Sequence, residues 1–171
     1  MQFGLLKISN FELTKEILTA FHKYTGLVDY SSKEIVKLLK NGLLKPLYKY
    51  TQDKLSGDVY GTHMTQRLPF YFDDNDIESN RGVLFEVNDI MSFSFGQGVR
   101  EYKKYQYAVI GIIPKEKILT SSKLNPELFS LHEDEIIVLG GTVQVTNIEY
   151  DRNGDNGNLI HPIRIKIKYI K

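Results

Sequence analysis

The chain has 171 residues, of which 42% are hydrophobic and 25% charged, an ordinary composition for a globular domain that can bury a core. Its 22 basic and 21 acidic side chains leave a net charge of +1, which argues against a strongly electrostatic nucleic-acid binder. Cysteine is absent and the four histidines lack metal-ligand spacing, so disulfides and thiolate metal sites are excluded and no metal is expected.

The sequence lacks membrane-spanning, signal-peptide and linker patterns. No apolar stretch approaches the roughly 20 residues that cross a bilayer, and the first residues lack a signal-peptide pattern. We therefore expect a cytoplasmic protein, in the producing cell or in a target cell, without a membrane partner. No repeat, linker or low-complexity tract divides the sequence, which predicts a single domain over residues 1–171.

Helix patterns occupy the first quarter of the chain. Apolar residues at helical spacing predict a helix over residues 11–24, with Asn10 as its N-cap and Gly26 at its end. A second helix is predicted over residues 32–41, because serines precede it and Gly42 follows it.

Strand patterns follow Gly42. Residues 44–51 are predicted to be extended, because Pro46 resists a helix and Tyr48 and Tyr50 alternate with polar residues. The other predicted strands cover residues 58–65, 82–87, 107–113, 135–145 with a bend at Gly140-Gly141, and 160–170; residues 115–128 are read mostly as a connection. Two leading helices followed by six or seven strands predict an α+β fold.

An acidic triplet, Glu133-Asp134-Glu135, runs directly into the apolar residues 136–139. A carboxylate at the entrance of a buried strand is held by the backbone, in a place that is costly for a charge. This indicates that the charge has a task, and the period of a strand points Glu133 and Glu135 to the same face. A solvated strand entrance is the alternative interpretation.

Several motifs stand in a particular order along the chain. They are Tyr24-Thr25-Gly26 with Tyr30, Pro46-Leu47-Tyr48-Lys49, Thr62-His63-Met64-Thr65, the apolar residues 83–87, and the acidic triplet with its strand and Gly-Gly turn. The order resembles mono-ADP-ribosyltransferases of the bacterial-toxin and phage type. The resemblance covers the chain from about residue 20 to its end, and the final third is its most specific part.

The resemblance implies a fold and a reaction. The fold would be two small, perpendicular β-sheets with helices at the N-terminal side, and NAD would lie in the cleft as a substrate. Cleavage of the nicotinamide–ribose bond generates an oxocarbenium-like cation, as in glycoside hydrolysis. By resemblance Glu135 stabilises that cation, and Glu133 orients or deprotonates the acceptor group.

The same resemblance implies a set of NAD-binding residues. Lys49, which precedes Tyr50, takes the place of an arginine on the first core strand. A lysine carries a point charge and lacks the planar, bidentate guanidinium group of arginine. The alternative is that Lys49 is an ordinary exposed lysine. Thr62 and Thr65 would replace a Ser-Thr-Ser motif, and His63 between them resembles the His-x-Thr motif of other branches. Phe70, Tyr71 and Phe72 would wall the nicotinamide, although part of this group fits a core equally well.

The acceptor and the activity are less constrained. Residues 68–72 followed by Arg81 resemble toxins that modify thymidine in DNA, so Arg81 joins the candidate binding residues and a DNA or RNA acceptor is an alternative. We expect an NAD-dependent ADP-ribosyltransferase with a macromolecular acceptor, a protein in preference to a nucleic acid. Two non-enzymatic classes stay open: a degenerate binding or inhibitory module of the same fold, and a small β-rich interaction domain.

Overall fold

The computed structural model describes residues 7–8, 11–12, 14–26, 31–95, 105–130, 134–152 and 160–171. Its helices are α1 (Lys15–Thr25), α2 (Lys33–Lys40) and α3 (Lys45–Lys54). Its strands are β1 (Lys7–Ile8), β2 (Phe11–Glu12), β3 (Val59–Thr65), β4 (Leu84–Phe95), β5 (Tyr107–Ile113), β6 (Ile118–Ser121), β7 (Glu135–Asp151) and β8 (Ile160–Tyr169). The predicted α+β class is confirmed.

The first two helices occur near their predicted places. Helix α1 begins four residues later than predicted, because Phe11–Glu12 pairs with Lys7–Ile8 in a short antiparallel ribbon. Thr14 is the N-cap, and its hydroxyl oxygen accepts the Ile17 N–H at 3.2 Å; the predicted cap Asn10 lies outside the described residues. No helix in the described parts of the chain is long and apolar enough to cross a membrane.

The strand predicted over residues 44–51 is wrong, because this segment forms helix α3. Pro46 lies in the first turn, where a helix does not need the missing N–H group. Leu47 and Thr51, four residues apart, are both buried. The sequence analysis missed this helical spacing because Tyr48 and Tyr50 alternate with polar neighbours, a pattern that is typical of a strand.

The six longer strands form one hydrogen-bonded ladder in the order β4-β3-β5-β8-β7-β6, and β4 also pairs with β7. The ladder therefore closes through β4, β3, β5, β8 and β7, and the two predicted sheets are connected by hydrogen bonds. Neighbouring strands are antiparallel except for β5 and β8, which run parallel. Strand β6 lies in the segment predicted as a connection, and it extends the ladder beside the first part of β7.

Strands β4 and β7 are longer than predicted. Strand β4 continues past Val87 through a β-bulge, where the pairing shifts before Ile90. Strand β7 runs from Glu135 to Asp151 without a break at Gly140-Gly141. A Cβ atom on Gly140 would collide with the Val87 carbonyl oxygen and lie 3.0 Å from those of Asn88 and Asp89. Glycine is needed there because the bulge backbone approaches β7 closely.

The sheet separates two hydrophobic cores. One core lies inside the closed ladder, and the other lies between the sheet and the helices. Ile136 and Val138 of β7 point into the first core, whereas Ile137 belongs to the second. Since side chains alternate along a strand, Glu135 lies on the same face as Ile137, toward the helices.

We expect Gly140→Ala to destabilise the protein by about 1–3 kcal/mol, because the new methyl group forces the bulge away from β7. Urea denaturation measures the change. The matched control is Gly57→Ala, where a Cβ atom meets nothing within 4 Å, and we expect a change within about 0.5 kcal/mol. Equal effects of the two substitutions would contradict the close approach at the bulge.

Candidate active site

Glu135 is the first residue of β7, and its backbone is held from two sides. Its N–H donates to the Ser122 hydroxyl oxygen at 2.9 Å, and its carbonyl accepts the Ser122 N–H at 2.9 Å. The carbonyl of Asp134 accepts the Phe95 N–H from β4 at 3.1 Å. The side chain is half-buried. The carboxylate is thus carried by a fixed backbone at a strand entrance, as the sequence predicted.

Ser92 of β4 holds the Glu135 carboxylate. Its Oγ atom lies 2.7 Å from Glu135 Oε2 and 2.9 Å from the Tyr24 hydroxyl oxygen of helix α1. A serine hydroxyl has one proton and a carboxylate only accepts, so Ser92 donates to Glu135 and accepts from the Tyr24 phenol. The three side chains form one hydrogen-bond chain that ends on the carboxylate.

Tyr24 is suited to donate in this chain. Burial raises the pKa of its phenol above the ordinary tyrosine value, and the nearby Glu135 charge raises the pKa further. The phenol therefore keeps its proton at neutral pH. Its hydrogen bond fixes the Ser92 hydroxyl so that the serine proton faces the carboxylate.

The pairing register of three strands explains why Ser92 and Glu135 lie on the same face of the sheet. Ser94 lies opposite Glu135 on β7, and Thr62 of β3 lies opposite Ser94. Cross-strand partners point to the same face, so these three residues form a row across the sheet. Ser92 is two residues from Ser94 and shares that face, whereas Met91 and Phe93 point into the inner core.

His63 braces the backbone of Ser92. Its Nδ1 atom lies 2.6 Å from the Ser92 carbonyl oxygen, and its ring centroid lies 5.8 Å from that of Phe93. Burial lowers the pKa of His63, partly offset by the hydrogen bond to Ser92. The imidazole is therefore neutral at neutral pH. Since a carbonyl cannot donate, the proton sits on Nδ1 and Nε2 carries a lone pair.

Comparison with known proteins identifies the fold. No family model matches the chain, and no curated protein matches it. Plx2a, an ADP-ribosyltransferase toxin from Paenibacillus larvae, matches with a TM-score of 0.55 at 14% identity, over 91% of this chain and 87% of that chain. C3stau2 from S. aureus, solved with NAD, has a TM-score of 0.53 at 12% identity, covering 91% of this chain and 88% of that chain.

A larger toxin component gives a similar result. The enzymatic component C2-I of the C2 toxin from Clostridium botulinum matches 92% of this chain with a TM-score of 0.59 at 16% identity. The match spans 43% of the length of C2-I. The chain has the ADP-ribosyltransferase fold. The fold expected from the order of the sequence motifs is therefore confirmed.

Within this fold, the predicted placement of Lys49 and Tyr50 is wrong, because both lie on helix α3 and not on a core strand. The Lys49 side chain is 78% exposed and pairs with Asp53 at 3.4 Å. It lies two residues before the buried Thr51, so it faces away from the sheet. The Lys54 ammonium group lies 5.7 Å from the centroid of the Tyr50 ring.

The hydroxyls predicted at Thr62 and Thr65 have different environments. Thr62 is buried in the row with Ser94 and Glu135. The Thr65 hydroxyl instead donates to the Arg67 carbonyl at 2.8 Å and accepts the Arg67 N–H at 3.1 Å, which closes a local turn. The hydroxyl that holds Glu135 belongs to Ser92, in the segment Ser92-Phe93-Ser94, and sequence reasoning missed it.

A signal for Ser92 was present in the sequence. The segment Met91-Ser92-Phe93-Ser94-Phe95 alternates large apolar and hydroxyl side chains, which is typical of a strand with one polar and one buried face. The predicted strand ended at residue 87, since the bulge at Asn88 and Asp89 interrupts the alternation. The two serines were therefore left in an unassigned segment.

The predicted aromatic wall, residues 70–72, is only partly buried, and Arg81 lies on the surface. Phe70 stacks on Phe85 with centroids 4.7 Å apart, and Phe72 meets Tyr107 edge-on at 5.4 Å. Both pack against the inner core, whereas Tyr71 is 84% exposed. Arg81 pairs with Glu78 at 2.6 Å on the surface. The role of these residues toward NAD stays a prediction.

Two further expectations concern carboxylates and metals. Glu133, the second predicted catalytic residue, lies outside the residues that the structure describes. Across the described ranges, no three His, Asp or Glu side chains come together in a group that could hold a metal ion. The described centre of the site therefore consists of Glu135, Ser92 and Tyr24, with His63 behind Ser92.

The neutral His63 predicts a pH-dependent stability. Its pKa is lowered by folding, so the unfolded chain binds this proton more readily than the folded protein does. The free energy of unfolding should then fall as the pH decreases below about 6.5, the ordinary histidine value, toward the lowered folded value. In His63→Gln this contribution should disappear, which thermal melts from pH 7.5 to pH 5 can measure. Identical pH slopes for wild type and variant would contradict the assignment.

Proposed function

We propose that the protein is an NAD-dependent mono-ADP-ribosyltransferase that transfers ADP-ribose to a macromolecular acceptor. The observation that carries the proposal is the Glu135 carboxylate, held by Ser92 at 2.7 Å at the entrance of β7. This carboxylate occurs in a chain with the fold of ADP-ribosyltransferase toxins, one of which was solved with NAD. The fold alone does not assign chemistry, so the proposal depends on this site.

The proposed chemistry assigns a separate task to each group. The C–N bond between ribose and nicotinamide breaks, and neutral nicotinamide leaves with the bonding electron pair. Positive charge develops on the ribose, and the Glu135 carboxylate stabilises it. The Ser92 proton fixes the orientation of the carboxylate through a hydrogen bond. The acceptor then forms a bond to C1 of the ribose and gives up its proton, for which we propose Glu133 as the base.

We propose a protein acceptor in preference to a nucleic acid. The near-zero net charge does not favour the phosphate contacts that dominate nucleic-acid affinity. Arg81, the residue that suggested a DNA acceptor, has its guanidinium paired with Glu78 at 2.6 Å. An arginine engaged by a carboxylate would have to exchange partners before it could bind a phosphate.

A second candidate is a module that binds NAD without turning it over. The observation that favours it is that Lys49, predicted to take the place of an arginine on a core strand, instead lies exposed on α3 beside Asp53. Without that cation, the pyrophosphate of NAD would depend on other groups. Isothermal titration with NAD, followed by measurement of nicotinamide release, separates the two candidates. Binding without release would identify the module.

We expect Glu135→Gln to lower kcat for nicotinamide release by about 10²–10³-fold, because the amide keeps the shape but loses the negative charge. KM for NAD should change less, since the charge acts mainly in the transition state. The control is Glu16→Gln, an exposed carboxylate on α1, which should stay within twofold of wild type. Release that survives Glu135→Gln at wild-type rate would exclude the assigned role.

The hydrogen-bond chain predicts coupled effects of Ser92 and Tyr24. Ser92→Ala removes a hydrogen bond to a charged group, of about 1.5–3 kcal/mol, and should lower kcat by about 10–100-fold. Tyr24→Phe removes only the support of Ser92 and should have a smaller effect. In the double variant, the loss should equal that of Ser92→Ala alone, because Tyr24 acts through Ser92. Additive losses would show that Tyr24 acts separately.

A further inference from the structure

A basic groove lies along helix α2, apart from the Glu135 carboxylate. It has a volume of about 400 Å³ and is lined by Ser32, Lys33, Val36, Lys37, Lys40, Asn41 and Asp89. Three ammonium groups and one carboxylate line this groove, so its net charge is positive.

Helix geometry places the three lysines on one face. Lys33, Lys37 and Lys40 are separated by four and three residues, so their side chains follow one another along the helix. All three residues are exposed, and within the described ranges no ion pair involves them. The only acidic residue of α2, Glu34, pairs instead with Lys23 of α1 at 3.1 Å.

The stability of the helix does not explain this charge pattern. The negative end of the helix dipole favours Lys37 and Lys40 in the last turn, but Lys33 is the first residue, where a cation is unfavourable. Lys33 and Lys37 also repel each other as like charges four residues apart. The opposite side chains of α2, Ile35 and Leu38, are buried and already supply its packing. The lysines are therefore available for another partner.

The groove lies near the proposed catalytic centre. Asp89, its residue on the sheet side, belongs to the β-bulge of β4, and Ser92 follows three residues later on the same strand. Three residues of a strand span roughly 10 Å. A short extended segment bound in the groove could therefore reach the carboxylate that Ser92 holds.

We propose that this groove docks an acidic peptide segment of the acceptor protein, an inference that rests on the proposed transferase function. The lysines would pair with carboxylates of the segment, and the half-buried Val36 between them offers an apolar contact. A nucleic acid fits less well, because the groove is only the length of one eight-residue helix, about 12 Å.

Fluorescence anisotropy with a fluorescein-labelled octaglutamate peptide tests the docking surface directly. The test variant is Lys33→Gln/Lys37→Gln/Lys40→Gln. The matched control is Lys45→Gln/Lys49→Gln/Lys54→Gln, which removes the same charge from exposed positions of the neighbouring helix α3. We expect the α2 variant to bind the peptide at least tenfold more weakly, the control to stay within twofold, and a triple Lys→Arg variant of α2 to retain binding.

Three results would overturn the proposal. They are equal weakening by the α2 and α3 variants, absence of peptide binding by the wild type at millimolar concentration, and tighter binding of an eight-nucleotide single-stranded DNA than of the peptide through the same lysines. Circular dichroism melts check that both variants are folded. Nicotinamide release from NAD should be unchanged in the α2 variant, so loss of docking and failure of the NAD chemistry are measured separately.

Discussion

The pairing of β4 with β7 is the constraint on which the other features depend. Residues of β4 from Leu84 to Ser94 pair with residues of β7 from Gln144 back to Glu135. Because β4 also pairs with β3, this contact closes the ladder around the inner core. It also sets Ser92 beside Glu135, across 43 residues of sequence. A shift of one residue in this register would turn every side chain of β4 to the other face.

The same register separates the chemistry from the core. On β4, Met91 and Phe93 fill the inside of the ladder while Ser92 and Ser94 face the helices. The carboxylate of Glu135 is therefore held over a surface whose reverse side is densely packed. The hydrogen bonds of Ser122 to the Glu135 backbone and of the His63 ring to the Ser92 carbonyl brace this surface from neighbouring segments. A site built on strands is positioned more accurately than one built on loops.

Helix α1 completes the arrangement from the other direction. Phe21 and Ala20 of this helix are buried in the second core, and the same helix brings Tyr24 over Ser92. The packing of α1 therefore fixes the hydrogen bond that directs the Ser92 hydroxyl proton toward Glu135. Helix α2 packs in the same core through Ile35 and Leu38, which leaves its lysine face to the groove. One hydrophobic layer thus positions both the catalytic centre and the proposed docking surface.

The sequence by itself determined the features that depend on local patterns. Helices α1 and α2, strands β3 and β5 and the carboxylate at the entrance of β7 follow from periodicity, caps and a charge beside an apolar run. Only the tertiary structure decided that residues 45–54 are a helix, since its packing against β6 outweighs the alternation of Tyr48 and Tyr50. It also decided that Ser92, rather than Thr65, meets Glu135. Such partners depend on strand register over long sequence separations, which local preferences do not encode.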